Sequence, residues 1–273
     1  MNPYISPVLT SYIEKHLYGN YLIKNTESPL IMGIFGPTGE GKTFQLEYVL
    51  NKLNIRIIDI SGGELENENA GFPAEILRSE YKKASDANEP TVLVINDIDA
   101  IIGKWGNLTQ YTVNRQNIYV QLMSFCDHPY EVAGHSTNRV PIFITGNNPS
   151  ILYDPLKRPG RMRIVEWKPD INEKKAIVSR IFDTVDKNTI EKYVERYSDK
   201  PVSYWSDLKT VVWEDKMLEY LHSHFNPYEI YQKIKKGAKF SVSNIMISSD
   251  DLESGISKTQ DLSEKSYMNQ KNY

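Results

Sequence analysis

The sequence predicts an α/β fold: a parallel sheet with helices on both faces, followed by a small α-helical domain. Three observations predict it. Apolar runs recur over residues 30–35, 55–60, 91–95 and 141–145, the pattern expected of strands buried on both faces. Helical periodicity fills the gaps between them. After Pro169 the β-branched strands stop and helical patterns remain. Alternating strands and helices make a parallel sheet covered by helices. The chain is therefore divided into an α/β domain over 1–168, a helical domain over 169–246 and a flexible polar tail over 247–273.

The first strand, 30–35, runs into Gly36-Pro37-Thr38-Gly39-Glu40-Gly41-Lys42-Thr43, and a helical stretch follows over 44–50. This is G-x-x-x-x-G-K-[ST] between a strand and a helix, the setting a phosphate-binding loop requires. Glycines let successive N–H groups curl around phosphate oxygens without a Cβ in the way. The helix N-terminus adds partial positive charge. Lys42 would reach the β- and γ-phosphates, and the Thr43 hydroxyl would ligate Mg²⁺. The nucleotide-binding set is thus Gly36, Pro37, Thr38, Gly39, Glu40, Gly41, Lys42, Thr43 and the adjoining Phe44. The competing reading, a chance glycine-rich turn, does not account for a full match in this setting.

Residues 55–60 form a β-branched strand. A helix follows over 74–87, with Ile76, Leu77, Tyr81 and Ala84 on one side. Residues 91–95 are a buried strand leading into Asn96-Asp97-Ile98-Asp99. The next helix, 113–125, spaces Ile118, Leu122 and Phe125 for one face, and the strand 141–145 ends at Thr145-Gly146-Asn147-Asn148. Helical patterns then cover 173–182, 189–197, 204–224 and 227–235. From about residue 247 the chain is rich in Ser, Asp, Lys, Asn and Gln, with little apolar surface to pack.

Composition bounds the function. Hydrophobic residues at 40% and charged residues at 25% suit a soluble globular protein. A net charge of -3 gives no global basic footprint for nucleic acid. Cys126 is the only cysteine, which excludes an internal disulfide and a multi-cysteine zinc site, and its apolar surroundings mark it as a core residue. The histidines fall in no metal or triad arrangement. Residues 1–21 are broken by Pro3, Pro7, Glu14 and Lys15, unlike a signal peptide. No apolar run approaches membrane-spanning length, so the chain reads as cytoplasmic.

Three groups should surround a phosphate loop that hydrolyses its nucleotide. An acidic residue after strand 91–95, Asp97 or Asp99, can hold Mg²⁺ through water or polarise the attacking water. An amide after strand 141–145, Asn147 or Asn148, can orient that water. An arginine, from Arg158-Pro159-Gly160-Arg161, can stabilise transition-state charge, in cis or from a neighbouring subunit. Each has a plain alternative: the acids cap a helix, the asparagines make a turn, and Arg158, Arg161 and Arg163 form a solvated edge. Their order behind a complete phosphate loop favours the site.

That order resembles the AAA+ ATPases, and more closely rubisco activase, over roughly residues 1–220. The carrying segments include Ser61-Gly62-Gly63-Glu64-Leu65-Glu66, Asn69-Ala70-Gly71, Ile95-Asn96-Asp97-Ile98-Asp99-Ala100, Gln110-Tyr111-Thr112-Val113-Asn114 and Gly160-Arg161-Met162. The resemblance implies a Rossmann-like ATPase domain with a helical lid, and ATP with Mg²⁺ bound between subunits of a homo-oligomeric ring, usually a hexamer. Asn96 and Asp97 would be the Walker B pair, with Asp97 catalytic and holding Mg²⁺ through water. Asn147 would be sensor 1, and Arg158 and Arg161 arginine fingers acting on the neighbour's ATP. Residues 66–71 and 104–114 would hold the two pore loops. Lys209 would stand in sensor 2 and touch the nucleotide.

Three departures accompany it. Asn96 stands where most AAA+ proteins have Asp, as the activases also do. Asn69 stands where many threading machines have an aromatic residue, which points to gentle remodelling. Lys209 and Val211 stand where activases tend to carry arginine, and lysine keeps the charge without the planar fork. The chain also starts close to the ATPase domain, without the N-terminal extension of plant-type activases. The implied function is an ATP-hydrolysing remodelling chaperone acting on a protein client, with rubisco and release of its inhibitory sugar phosphates as the family's example. No membrane partner is implied. Two alternatives remain from other classes. One is a nucleic-acid loader using Lys82, Lys83, Lys104, Arg115, Lys157, Arg158, Arg161 and Arg163, disfavoured by the net charge. The other is an ATP-gated scaffold with little turnover.

Overall fold

The computed structural model describes residues 2–61, 65, 71–99, 109–237 and 246–268. They divide into two compact units: Ile5–Lys168, and Pro169–Tyr273 together with Met1–Tyr4.

The larger unit opens with α1, Pro7–Tyr21, a helix absent from the sequence expectation. Ser6 caps it, and Leu9, Ile13 and Leu17 bury one face at four-residue spacing. Next come β1 (Ile31–Phe35), α2 (Lys42–Lys52), β2 (Arg56–Ile60), α3 (Phe72–Ser85), β3 (Thr91–Ile95) and α4 (Thr109–Asp127). A short hairpin, β4 (Glu131–Val132) with β5 (His135–Ser136), precedes β6 (Ile142–Gly146) and β7 (Met162–Glu166). The sheet order is β2-β3-β6-β1-β7, and all four pairings are parallel. Strands β1, β3 and β6 are buried at every position, as the apolar runs predict for strands covered on both faces. On one face Leu77, Tyr81, Ile118, Leu122 and Phe125 pack against Leu93, Ile95, Ile142 and Ile144. Tyr81 stacks on Phe125 at 4.3 Å between ring centroids. Cys126 packs at the edge of this core, and burial pushes its thiol up to about 12.

The second unit is helical: α5 (Ile171–Ile181), α6 (Lys187–Arg196), α7 (Val202–His224), α8 (Pro227–Lys235) and α9 (Ser249–Met268). Asp170 and Asn226 each close a reciprocal capping box, with Glu173 and Glu229. The core gathers Val178, Phe182, Ile190, Trp205 and Leu208.

The expected flexible tail is corrected here. Residues 249–268 are helix α9, and Ile247, Leu252 and Ile256 are buried in the core of the second unit. The physical reason is economy of contact. Leu252 and Ile256 share one face of the helix, Ile247 packs just ahead of it, and Gly255 allows close approach, because a Cβ there would meet the Val212 and Leu208 side chains. Ser248 and Asp251 cap each other's N–H groups, and Lys258–Asp215 (2.6 Å) and Lys216–Asp251 (2.9 Å) line the rim. A polar composition hid a one-sided helix.

Residues 66–70 of the first expected pore loop, with Asn69, and residues 104–108 of the second lie outside the described residues, and residues 109–114 belong to α4.

Candidate functional site

The site lies at the carboxyl ends of the parallel strands, where open α/β sheets place ligands. Phe35 at the end of β1 is in register with Gly146 at the end of β6, and Ile144 of β6 with Ile95 of β3. The glycine loop leaves β1 beside both. Trp167 fastens its base: its N–H donates to the Phe35 carbonyl at 2.7 Å, and its indole Nε1 to the Glu40 carbonyl at 2.7 Å. Gly41 is the N-cap of α2 with φ 79°, a left-handed geometry that glycine adopts without strain. No side chain caps α2, so its N-terminal dipole faces the cleft.

Lys42 is only 6% exposed. Its ammonium donates to the Gly36 and Pro37 carbonyls, each at 2.9 Å, and to Asn147 Oδ1 at 3.0 Å. Burial pulls its pKa below the ordinary lysine value, while the charges of Asp97, Asp99 and Glu40 oppose that. Asn147 Oδ1 also accepts from Thr38 Oγ1 at 3.0 Å. The cleft has a volume of about 260 Å³ and is lined by Thr38, Gly39, Gly41, Lys42, Thr43, Phe44, Asp97 and Asn147. Phe44 is half-exposed at its edge.

The four acidic and amide candidates divide by position. Asp97 lines the cleft with φ 50°, and its N–H donates to Thr145 Oγ1 at 3.1 Å. Asp99 instead accepts the backbone N–H groups of Asn147 and, at 3.2 Å, Asn148. Asn147 turns to the loop, whereas Asn148 caps the 3-10 turn Pro149–Ile151 by accepting from Ser150 N. Sequence spacing could not separate these pairs. Asn96 Oδ1 accepts from Thr43 Oγ1 at 3.1 Å and from Thr145 Oγ1 at 2.9 Å. Its Nδ2 donates to Asp59 Oδ1 at 2.8 Å.

The two arginines also differ. Arg161 grips Asp127 with two bonds, Nε to Oδ1 at 2.9 Å and Nη2 to Oδ2 at 2.7 Å, and donates to the Pro155 carbonyl at 3.0 Å. Arg158 is exposed. Lys209 is half-buried on α7 of the second unit.

Hard oxygen donors suit a hydrated Mg²⁺: the Thr43 hydroxyl and the Asp97 carboxylate face one cleft beside the lysine. Among the described residues no three His, Cys, Asp or Glu side chains gather into a metal cage. Two polar groups escaped the sequence reading, Asp59 and Thr145. Both signals were present: a carboxylate near the end of an apolar strand, and a hydroxyl in a fully buried one.

A larger recess, about 490 Å³, lies at the amino ends of β3 and β6. Its polar groups hold one another: Arg139 bonds Asn20 Oδ1 and the Ser28 carbonyl, and Tyr21 bonds the Thr91 carbonyl. It carries no comparable chemistry. Among the described residues no helix is long and apolar enough to cross a membrane.

Residues 32–170 match the family described as "ATPase family associated with various cellular activities (AAA)". Among curated proteins, the chain is 37% identical over 235 residues to a ribulose bisphosphate carboxylase/oxygenase activase from Anabaena sp., covering 81% of this chain and 57% of the relative. It is 37% identical over 230 residues to chloroplastic activase 2 of Larrea tridentata, covering 80% and 53%. The chloroplastic activase of Phaseolus vulgaris is 36% identical over 230 residues, covering 80% and 52%. The chain thus spans about half the length of the curated relatives it matches.

Proposed function

This chain belongs to the AAA ATPase family, and from that premise we propose that it hydrolyses ATP and couples hydrolysis to remodelling of a protein client, as a chaperone of rubisco-activase type. The observation that carries the reading is Lys42, a buried ammonium held at the mouth of an uncapped helix by two loop carbonyls and Asn147. A buried cation beside a helix N-terminus is a receptor for phosphate. On this reading ATP phosphates displace the carbonyl contacts of Lys42, and the loop N–H groups take the remaining oxygens.

Thr43 and, through water, Asp97 would hold Mg²⁺. When bound, that ion neutralises charge on the β- and γ-phosphates. Asp97 accepts a proton from the attacking water, and Asn147 orients that water while keeping Lys42 in place. Asp99 holds the Asn147 backbone. Asn96 and Phe44 complete the pocket. In a ring, hexameric by family analogy, Arg158 enters the neighbour's site. Arg161, braced by Asp127, supports the same turn. Pore-loop movement then acts on the client, for which rubisco and release of its bound sugar phosphates are the family's example, in a cytoplasmic setting. The proposed division is an α/β domain over 5–168 and a helical domain beyond it, with the first four residues grouping with the helical unit.

The test is the rate per subunit as a function of protein concentration, measured as phosphate release. A composite site predicts a rate that climbs as subunits assemble. A verified monomer hydrolysing ATP at the full rate rejects the ring. Reactivation of sugar-phosphate-inhibited rubisco tests the client separately, and failure there with intact ATPase activity removes rubisco alone.

A further inference from the structure

Position 96 raises a chemical question. An asparagine is nearly symmetric in shape, but one end donates and the other accepts. A carboxylate would accept at both ends, so its orientation would not matter. For Asn96 it matters, because the end facing Thr43 decides what the Thr43 hydroxyl can do.

We infer that Asp59 is a positioning residue for the Mg²⁺ site: its carboxylate holds the Asn96 amide so that the carbonyl oxygen, and not the NH₂ group, faces the Thr43 hydroxyl. The inference rests on the nucleotide-site reading above. An ionised carboxylate only accepts hydrogen bonds, so the Asn96 atom 2.8 Å from Asp59 Oδ1 is Nδ2. Oδ1 then points the other way and receives Thr43 Oγ1 at 3.1 Å and Thr145 Oγ1 at 2.9 Å. Thr43 has one hydroxyl hydrogen. Spent on Asn96, it leaves the oxygen lone pairs open for a cation. In the flipped amide the NH₂ group would donate to Thr43, and the hydroxyl oxygen would be shared between that bond and the metal.

Thr145 alone does not prevent the flip. Its oxygen accepts from Asp97 N–H at 3.1 Å and has a second lone pair that could take an NH₂ hydrogen. Asp59 is the group that breaks the symmetry. It sits on β2, the strand paired with β3, with Asp59 in register with Val94. The pair Asp59 and Asn96 carries the same net charge as one carboxylate at position 96, placed one side chain further from the metal. Outer partners of this kind orient metal ligands and tune affinity.

The experiment titrates Mn²⁺ into the full chain holding equimolar ADP and follows free Mn²⁺ by electron paramagnetic resonance, against ADP alone. In Asp59→Ala the Mn²⁺ concentration for half-saturation should rise about tenfold or more, with metal-free ADP binding little changed. Adding Asn96→Asp to that variant should bring it back to within about twofold of the native chain, because a carboxylate at position 96 needs no orienting partner. An unchanged titration in Asp59→Ala overturns the inference. So does a loss that Asn96→Asp fails to restore, since Asp59 would then act through its own charge or through folding. If Asp59→Ala does not fold, Asp59→Asn replaces it, as it removes the strict acceptor and keeps the shape. Native chain that takes up neither ADP nor Mn²⁺ overturns the nucleotide reading itself.

Discussion

Replacing Asp99 with Ala should separate the two acids that follow β3. Asp99 does not line the cleft, and its carboxylate holds the backbone N–H groups of Asn147 and Asn148. The substitution removes two charge-assisted bonds, each worth about 1.5–3 kcal/mol when buried. Both lie near the surface, so water replaces part of that loss, and a net cost of about 1–3 kcal/mol is expected. That cost falls on the segment carrying Asn147, whose Oδ1 meets Lys42 Nζ and Thr38 Oγ1, each at 3.0 Å. A shift of about 1 Å in a catalytic group can lower turnover about a hundredfold. Steady-state phosphate release should therefore fall about 10–100-fold in kcat, while affinity for a fluorescent ADP analogue stays close to native. Asp97→Asn should also abolish turnover, but without loosening the 147–148 backbone in hydrogen exchange. If Asp99→Ala keeps native kcat, or loses ADP binding in step with kcat, the division of labour between Asp97 and Asp99 is wrong.

Further outcomes follow from the same structure. His16 is fully buried against Phe143, with centroids 4.9 Å apart, and its pKa is lowered to about 3, first by burial and then by the charge of Arg163. A histidine neutral when folded and protonated when unfolded contributes fully above its ordinary pKa of about 6.5. That contribution fades as pH falls from about 6.5 toward 3. Urea unfolding across this range should show His16→Phe less acid-sensitive than native, and parallel pH profiles would reject the assignment. Leu252→Ala should destabilise the helical unit by about 2–5 kcal/mol and raise hydrogen exchange in α9, whereas a free tail would show no change. Arg158→Ala should bind ADP but not turn over ATP. Mixing it with Lys42→Ala chains should restore activity, because each lends the part the other lacks, and no restoration would argue against action between subunits.

The strands were readable because burial on both faces leaves an unbroken apolar run, as in 91–95 and 141–145. The phosphate loop was readable because its chemistry is local: the glycines, Lys42 and Thr43 lie within eight residues. Helix α1 was missed although Leu9, Ile13 and Leu17 fall at four-residue spacing, because Pro3, Pro7, Glu14 and Lys15 were weighed only against a signal peptide. Helix α9 was missed because its buried residues are few and its partners, Trp205 and Leu208, lie some 45 residues earlier in the chain. Within the site, sequence named the pairs Asp97 or Asp99 and Asn147 or Asn148. Spacing alone left each pair open, the family resemblance pointed to Asp97 and Asn147, and both line the cleft. Asp59 stayed hidden because its role depends on a tertiary contact with Asn96, in the neighbouring strand's loop.

The most direct test is phosphate release by Lys42→Ala beside the native chain, under conditions where both are folded by circular dichroism. The native chain should turn over ATP, and the variant should lose turnover and weaken nucleotide binding together. Undiminished ATP hydrolysis by Lys42→Ala would contradict the assignment of the cleft at Lys42, Thr43, Asp97 and Asn147.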